Sequence, residues 1–137
     1  LLMSADSDGG LRLATIDSDG AVTQEQGRVD PKNLDNAFSV DLDSTAQQVL
    51  DTFDQSVYRT ARYIIQMEQD SSNKYHSTEI LLMHDNTNVY MTEYAVLRTD
   101  SALGDITADM IGDTVRLLIT PSYNNTSIKA KRLIINA

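Results

Sequence analysis

The sequence predicts an all-β protein. The expected architecture is an antiparallel β-sandwich of seven to eight strands, jelly-roll- or Ig-like in kind, preceded by an N-terminal extended arm or hairpin. Three observations carry this. From Gln47 onward, apolar residues recur at every second position in several runs, the period of a strand with one face in a core. Clusters of Gly, Asn, Asp and Ser punctuate those runs, as turns do. No helix longer than a turn or two is expected.

Taken in order, the first element is Leu11-Arg12-Leu13-Ala14-Thr15-Ile16, which alternates for most of its length. Asp6-Ser7-Asp8-Gly9-Gly10 precedes it and Asp17-Ser18-Asp19-Gly20 follows. Asp-Gly suits a two-residue hairpin turn because Gly accepts positive φ, so residues 11–26 read as a hairpin returning through Ala21–Gln24. A lone two-stranded hairpin is marginal in water and needs something to pack on. Residues 27–39 read as a connector. A strand near Gln47–Phe53 follows. In Tyr58–Glu68, Ala61, Tyr63, Ile65 and Met67 face one way and Arg62, Gln66 and Glu68 the other, with Ile64 breaking the pattern. The apolar spacing there also fits a helix, but the Thr, Tyr and Ile content favours a strand. Ile80-Leu81-Leu82-Met83 makes Tyr75–His84 a strand expected to be covered on both faces. After the Asp85–Asn88 turn, Val89, Met91, Ala95 and Leu97 are expected on one face, against Tyr90, Thr92 and Tyr94. Strands at Ile106–Ile111, Val115–Pro121 and Ser127–Ile135 complete the set, separated by Gly112-Asp113 and Tyr123-Asn124-Asn125.

The 137 residues fit one domain with a core that needs no staples. There is no cysteine, which excludes disulfides, thiolate metal sites and cysteine nucleophiles. No apolar run is long enough for a membrane-spanning helix, and no leader pattern is present. The chain begins with Leu1 rather than Met, as a portion of a longer or processed protein would. The net charge of −9 opposes nucleic acid and anionic membranes as partners. It is unevenly spread. Residues 1–45 hold nine acidic and three basic residues, a balance of −6, whereas residues 46–137 hold eleven and eight, a balance of −3. This divides the chain into an acidic arm, residues 1–44, and a β-sandwich domain, residues 45–137. Trp is absent and aromatics make up 6%, which gives little material for a stacking platform.

An ordered set of fragments carries a family resemblance. It comprises Thr52-Phe53-Asp54, Tyr58-Arg59-Thr60-Ala61-Arg62-Tyr63, Thr78-Glu79-Ile80-Leu81, His84-Asp85, Tyr90-Met91-Thr92-Glu93-Tyr94, Ser101-Ala102-Leu103-Gly104, Val115-Arg116-Leu117-Leu118 and Thr120-Pro121. In order and spacing this set resembles a domain of bacteriophage virion structural proteins. It is similar to modules of tail, neck and fibre-like proteins of large tailed phages, cyanophages especially. The resemblance covers residues 45–137 and departs at His84–Asn88, where the family more often has glycine. It implies a non-enzymatic building block located in the virion and assembled in the host cytoplasm. It brings no catalytic residues. Its partners would be other virion proteins and copies of itself.

Read as chemistry, the individual motifs are weak. The two Asp-Ser-Asp-Gly repeats suggest calcium, but the EF-hand spacing fails: from Asp17 the fifth and sixth positions are Ala21 and Val22, and from Asp6 they are Gly10 and Leu11. Two Asx-type turns explain them. His76 and His84 share a strand face but lie about 26 Å apart, too far for one metal. A site at His84 would need Asp85 or Glu93, and a polar turn histidine is the plainer reading. Glu79 and Glu93 are expected to be near neighbours across the hairpin, a spacing glycosidases use, although a surface or salt-bridged pair explains them as well. No nucleophile elbow and no Gly-rich phosphate loop occurs. The expectation is no catalytic residue, no metal and no cofactor. Candidate partner contacts are the basic run Lys129, Lys131 and Arg132, then Tyr123, Asp17 and Asp19. The basic run either meets the acidic segment of a neighbouring subunit or is a solvated face guarding an edge strand. The alternatives in function are a glycan-binding receptor module at a fibre tip, using Tyr123-Asn124-Asn125 or Tyr90 with Tyr94, and a capsid decoration protein.

Overall fold

A computed structural model describes residues 2–5, 11–16, 22–29 and 37–137, the first three stretches by their backbone alone. The chain divides into two compact units, Leu1–Ala37 and Phe38–Ala137. In the first, β1 (Leu2–Ala5), β2 (Leu11–Ile16) and β3 (Val22–Val29) form a three-stranded antiparallel sheet in the order β1-β2-β3. The expected hairpin is β2–β3. The third strand, β1, is too short to show an alternation. Asp17 and Asp19 lie outside the described residues. The expected connector begins within β3 and ends within the next strand.

The second unit is the sandwich, and no helix occurs among the described residues. Its strands are β4 (Ala37–Leu42), β5 (Gln48–Asp54), β6 (Tyr58–Gln69), β7 (Lys74–His84), β8 (Val89–Arg98), β9 (Gly104–Ile111), β10 (Thr114–Pro121) and β11 (Thr126–Asn136). A three-stranded sheet, β5-β10-β9, faces a five-stranded sheet, β4-β11-β6-β7-β8. The seven expected strands are all present, and β4 is the eighth. Phe38 and Val40 are half-buried there and Leu42 is buried, so the acid-rich stretch up to residue 44 contains an edge strand of the sandwich.

Alternation builds the core. Ala61, Tyr63, Ile65 and Met67 of β6 are fully buried, together with Ile80 and Leu82 of β7 and Ile128 of β11. They meet Phe53, Ile106, Val115, Leu117 and Ile119 from the smaller sheet. Each large apolar side chain taken out of water in this way contributes about 1.5–3 kcal/mol. Phe53 meets Tyr58 edge-on, with ring centroids 6.3 Å apart.

Two strands depart from their simple pattern. On β7, Ile80 and Leu82 are buried, but Leu81 and Met83 are 42% and 45% exposed, so only one face of the strand is covered. On β8 the register against β7 shifts between Ser77 and Glu79. Ala95 lies in that stretch with φ of 51°, a left-handed conformation unusual for alanine. The extra residue of this bulge reverses the alternation beyond it. Leu97 therefore pairs with outward Ser77 and joins the face of Tyr90 and Tyr94, not that of Val89 and Met91.

Candidate functional site

The outer face of the five-stranded sheet is the most distinctive surface of the sandwich. The pairing register places its residues in rows. Ile135, Thr60, Met83 and Tyr90 form one row, and Leu133, Arg62, Leu81 and Thr92 the next. Lys131, Ile64, Glu79 and Tyr94 follow, then Lys129, Gln66, Ser77 and Leu97. Ile64, Leu81, Met83, Leu133 and Ile135 are 42–63% exposed. An antiparallel sheet with one wet face normally turns polar residues outward. This one turns five large aliphatic residues outward, as pairs on β11 and β7 on either side of Thr60 and Arg62 and as Ile64 on β6, with Tyr90 and Tyr94 along its β8 side. A shallow depression at that side is lined by Thr60, Leu81, Met83, Tyr90, Met91 and Thr92.

Charge on this face is sparse and ordered. Arg62 reaches Glu79 across the β6–β7 pair at 2.9 Å. Lys129 and Lys131 project outward from β11, and neither has an ion-pair partner among the described residues. Arg132 leaves the opposite side of the strand. It turns toward the smaller sheet and meets Asp51 of β5 at 3.0 Å. The Tyr63 hydroxyl donates to the same carboxylate oxygen at 2.8 Å. Burial, then Asp51, pushes the Tyr63 phenol upward, so it stays protonated as a donor. The basic run is therefore split, with two lysines on the surface and an arginine tying the sheets together. The signal was present in the sequence, since Arg132 shares parity with Ile128 and Ala130.

Tyr123 is held in its corner. Its hydroxyl is 3.1 Å from Ser101 Oγ, and Lys74 lies over its ring with Nζ 5.3 Å from the centroid. Lys74 also pairs with Asp100 at 2.7 Å.

The two histidines share the inward face of β7, and both are buried. His84 is not a polar turn residue. Its Nε2 lies 2.6 Å from the Tyr58 carbonyl, and its Nδ1 accepts the Asn86 N–H at 3.2 Å. His76 Nδ1 accepts the Leu103 N–H at 3.2 Å, while its Nε2 is buried with no hydrogen-bond partner among the described residues. Burial, then Arg98, lowers the His76 pKa, and Glu93 and Asp105 act the other way.

Glu79 and Glu93 are one register step apart but leave opposite faces, because Glu79 pairs with Tyr94 and Glu93 with Ile80. They do not form the facing carboxylate pair that the hairpin suggested. Among the described residues no group of three or more His, Cys, Asp or Glu side chains is placed to hold a metal ion. The Asp85 carboxylate caps its own turn. It accepts the Asn88 N–H at 2.7 Å, the Thr87 N–H at 2.9 Å and the Tyr90 hydroxyl at 3.0 Å.

No protein-family model matches the chain, and no curated protein does. Among solved structures, the tailspike protein of Acinetobacter phage vB_ApiP_P1 is similar with a TM-score of 0.53 at 11% identity, over 82% of this chain and 24% of that one. The tailspike protein of Acinetobacter baumannii phage AM24 aligns with a TM-score of 0.37 at 10% identity, over 74% of this chain and 26% of that one. The chain thus spans about a quarter of the length of each. What the first comparison establishes is a shared all-β fold.

Proposed function

We propose that this chain is a non-enzymatic structural module of a tailed-phage virion, part of the tail apparatus, that works through subunit contacts. The observation that carries the proposal is the outward aliphatic patch of Ile64, Leu81, Met83, Leu133 and Ile135. Large exposed apolar residues gathered on one sheet face, rimmed by polar ones, mark interaction sites. The fold shared with a stretch of a phage tailspike and the resemblance to virion modules support the virion setting. The partners are other virion proteins and copies of the same chain. A net charge of −9 disfavours nucleic acid and anionic membrane. Antibody labelling of purified particles by electron microscopy tests the location. Label on the tail is expected, and particles lacking the chain overturn the proposal. Incubation with host surface polysaccharide is expected to release no new reducing ends, and release would overturn the non-enzymatic part.

A second reading, glycan binding, is favoured by Tyr90 and Tyr94 flanking Thr92 on the same outer edge. Tyr123 supports it less, because its ring and hydroxyl are already engaged. Binding on a glycan array that is lost in Y90A/Y94A would establish this role instead.

A further inference from the structure

The outer face has a pattern that singles out its occupant. We infer that it packs against the same face of a second copy of this chain, about a two-fold axis running along β6. This rests on the assembly reading above and names its partner. The register places β11 and β7 symmetrically on either side of β6. In the row through Ile64, Lys131 lies on one side and Glu79 on the other. In the row through Arg62 the flanking residues are Leu133 and Leu81, and in the row through Thr60 they are Ile135 and Met83.

A two-fold axis along β6 exchanges the two flanks. It sets Lys131 against Glu79 of the partner subunit, twice. It sets Leu133 against Leu81 of the partner subunit and Ile135 against Met83 of the partner subunit. Ile64 meets its own copy on the axis. Aliphatic groups fall on aliphatic groups and opposite charges on each other, which is the self-complementarity an isologous contact needs. Arg62 also lies on the axis, but Glu79 already neutralises it at 2.9 Å. Lys131, with no carboxylate of its own among the described residues, gains one.

The size fits. The whole outer face, five strands at about 4.8 Å by about ten residues at about 3.3 Å, offers a plan area of about 800 Å², of which the three rows above form the centre. A standard interface buries about 800 Å² on each partner. Two sheet faces pack about 10 Å apart, a gap that the side chains of these rows fill.

Charge swapping tests this on the full chain by light scattering across a concentration series, with circular dichroism to confirm folding. Lys131→Glu alone and Glu79→Lys alone are each expected to weaken dimerisation about tenfold or more, and the double swap to recover to within about threefold. Because the sequence has no cysteine, Ile64→Cys gives a clean probe of the axis. A short bis-maleimide is expected to link two Ile64→Cys chains, but not two Ile111→Cys chains, whose site lies on the other sheet and is 59% exposed. Oligomers indifferent to the swaps and unlinked at residue 64 would overturn this contact and leave assembly standing. A monomer at every concentration, found alongside tail labelling of the particle, would overturn the contact while the virion role holds.

Discussion

Arg132 on β11 and Asp51 on β5 close an ion pair at 3.0 Å that joins one sheet of the sandwich to the other. The side chains are 21% and 19% exposed, and Tyr63 from β6 shares the same carboxylate oxygen. Removing the carboxylate takes one shared acceptor from two donors at once. Asp51→Ala is therefore expected to cost about 2–4 kcal/mol, somewhat below a fully buried pair. Tyr63→Phe loses one charge-assisted hydrogen bond and keeps the packing, at a cost of about 1.5–3 kcal/mol. Urea unfolding checks both. If Asp51→Ala is no worse than Tyr63→Phe, the pair is not holding the sheets together.

His76 predicts a loss of stability in mild acid. Its ring is buried, its pKa is lowered from 6.5, and Nδ1 is committed to the Leu103 N–H. The unfolded chain takes up the proton first. Its contribution is therefore complete above about pH 6.5 and fades as pH falls below that value. Protonation of Nδ1 would also orphan Leu103 N–H, where the chain leaves β8 for β9. Unfolding measured between pH 7.5 and 5 should show a falling limb that His76→Leu lacks. A flat profile in the parent would contradict this.

Asp85 adds a second limb at lower pH. Hydrogen bonds from the Asn88 and Thr87 amides, with help from Tyr90, hold its carboxyl down to about 2. The stabilisation is present above the unfolded value of about 3.9 and lost as pH falls toward the folded one. Asp85→Asn should flatten the stability profile between pH 4 and 2 without altering the His76 limb. An unchanged profile would remove Asp85 from the account.

Positive φ values allow a signed comparison. Ala95 at φ 51° carries strain of about 1–2 kcal/mol, so Ala95→Gly should stabilise by about 0.5–1 kcal/mol once glycine's added chain entropy is subtracted. Gly112 at φ 58° has open space around it, and Gly112→Ala should cost about 1 kcal/mol, with Gly112→Asn costing less. Gly104 is limited by space: an added Cβ would lie 3.1 Å from Ile119 Cδ1 and 3.3 Å from the Thr120 carbonyl oxygen. Gly104→Ala should cost about 1–3 kcal/mol by overpacking. Thermal melts rank the four.

Period-two patterning was enough to place the strands from Gln48 to Asn136, because each buries one row of side chains. It also put Ala61, Tyr63, Ile65 and Met67 in the core and Lys129 with Lys131 on one face. What it missed depends on partners distant in sequence. The bulge at Ala95 adds one residue and leaves no mark in the composition of β8, so period two alone puts Leu97 on the wrong face. β4 is masked by an acid-rich stretch, because Asp41 within it and Asp43 just after it dominate the local charge while Phe38, Val40 and Leu42 form its apolar row. His84 looks like a turn residue by position and is buried because Phe53 and the Tyr58 carbonyl close over it. The outward patch was visible in Leu81 and Met83, but it read as double burial within one chain.

The bulge in β8 has one more consequence, for how this edge of the sheet meets other chains. β8 is an outermost strand of its sheet, and the backbone groups along such an edge are a template on which a foreign strand could add itself. The kink at Ala95 breaks that template partway along, so a visiting strand loses step before it can pair throughout. Recruitment by the edge would lengthen into fibres, whereas recruitment by the broad face stops when two faces have met. A single alanine in an unusual conformation thus blunts this edge of the sheet against open-ended strand addition.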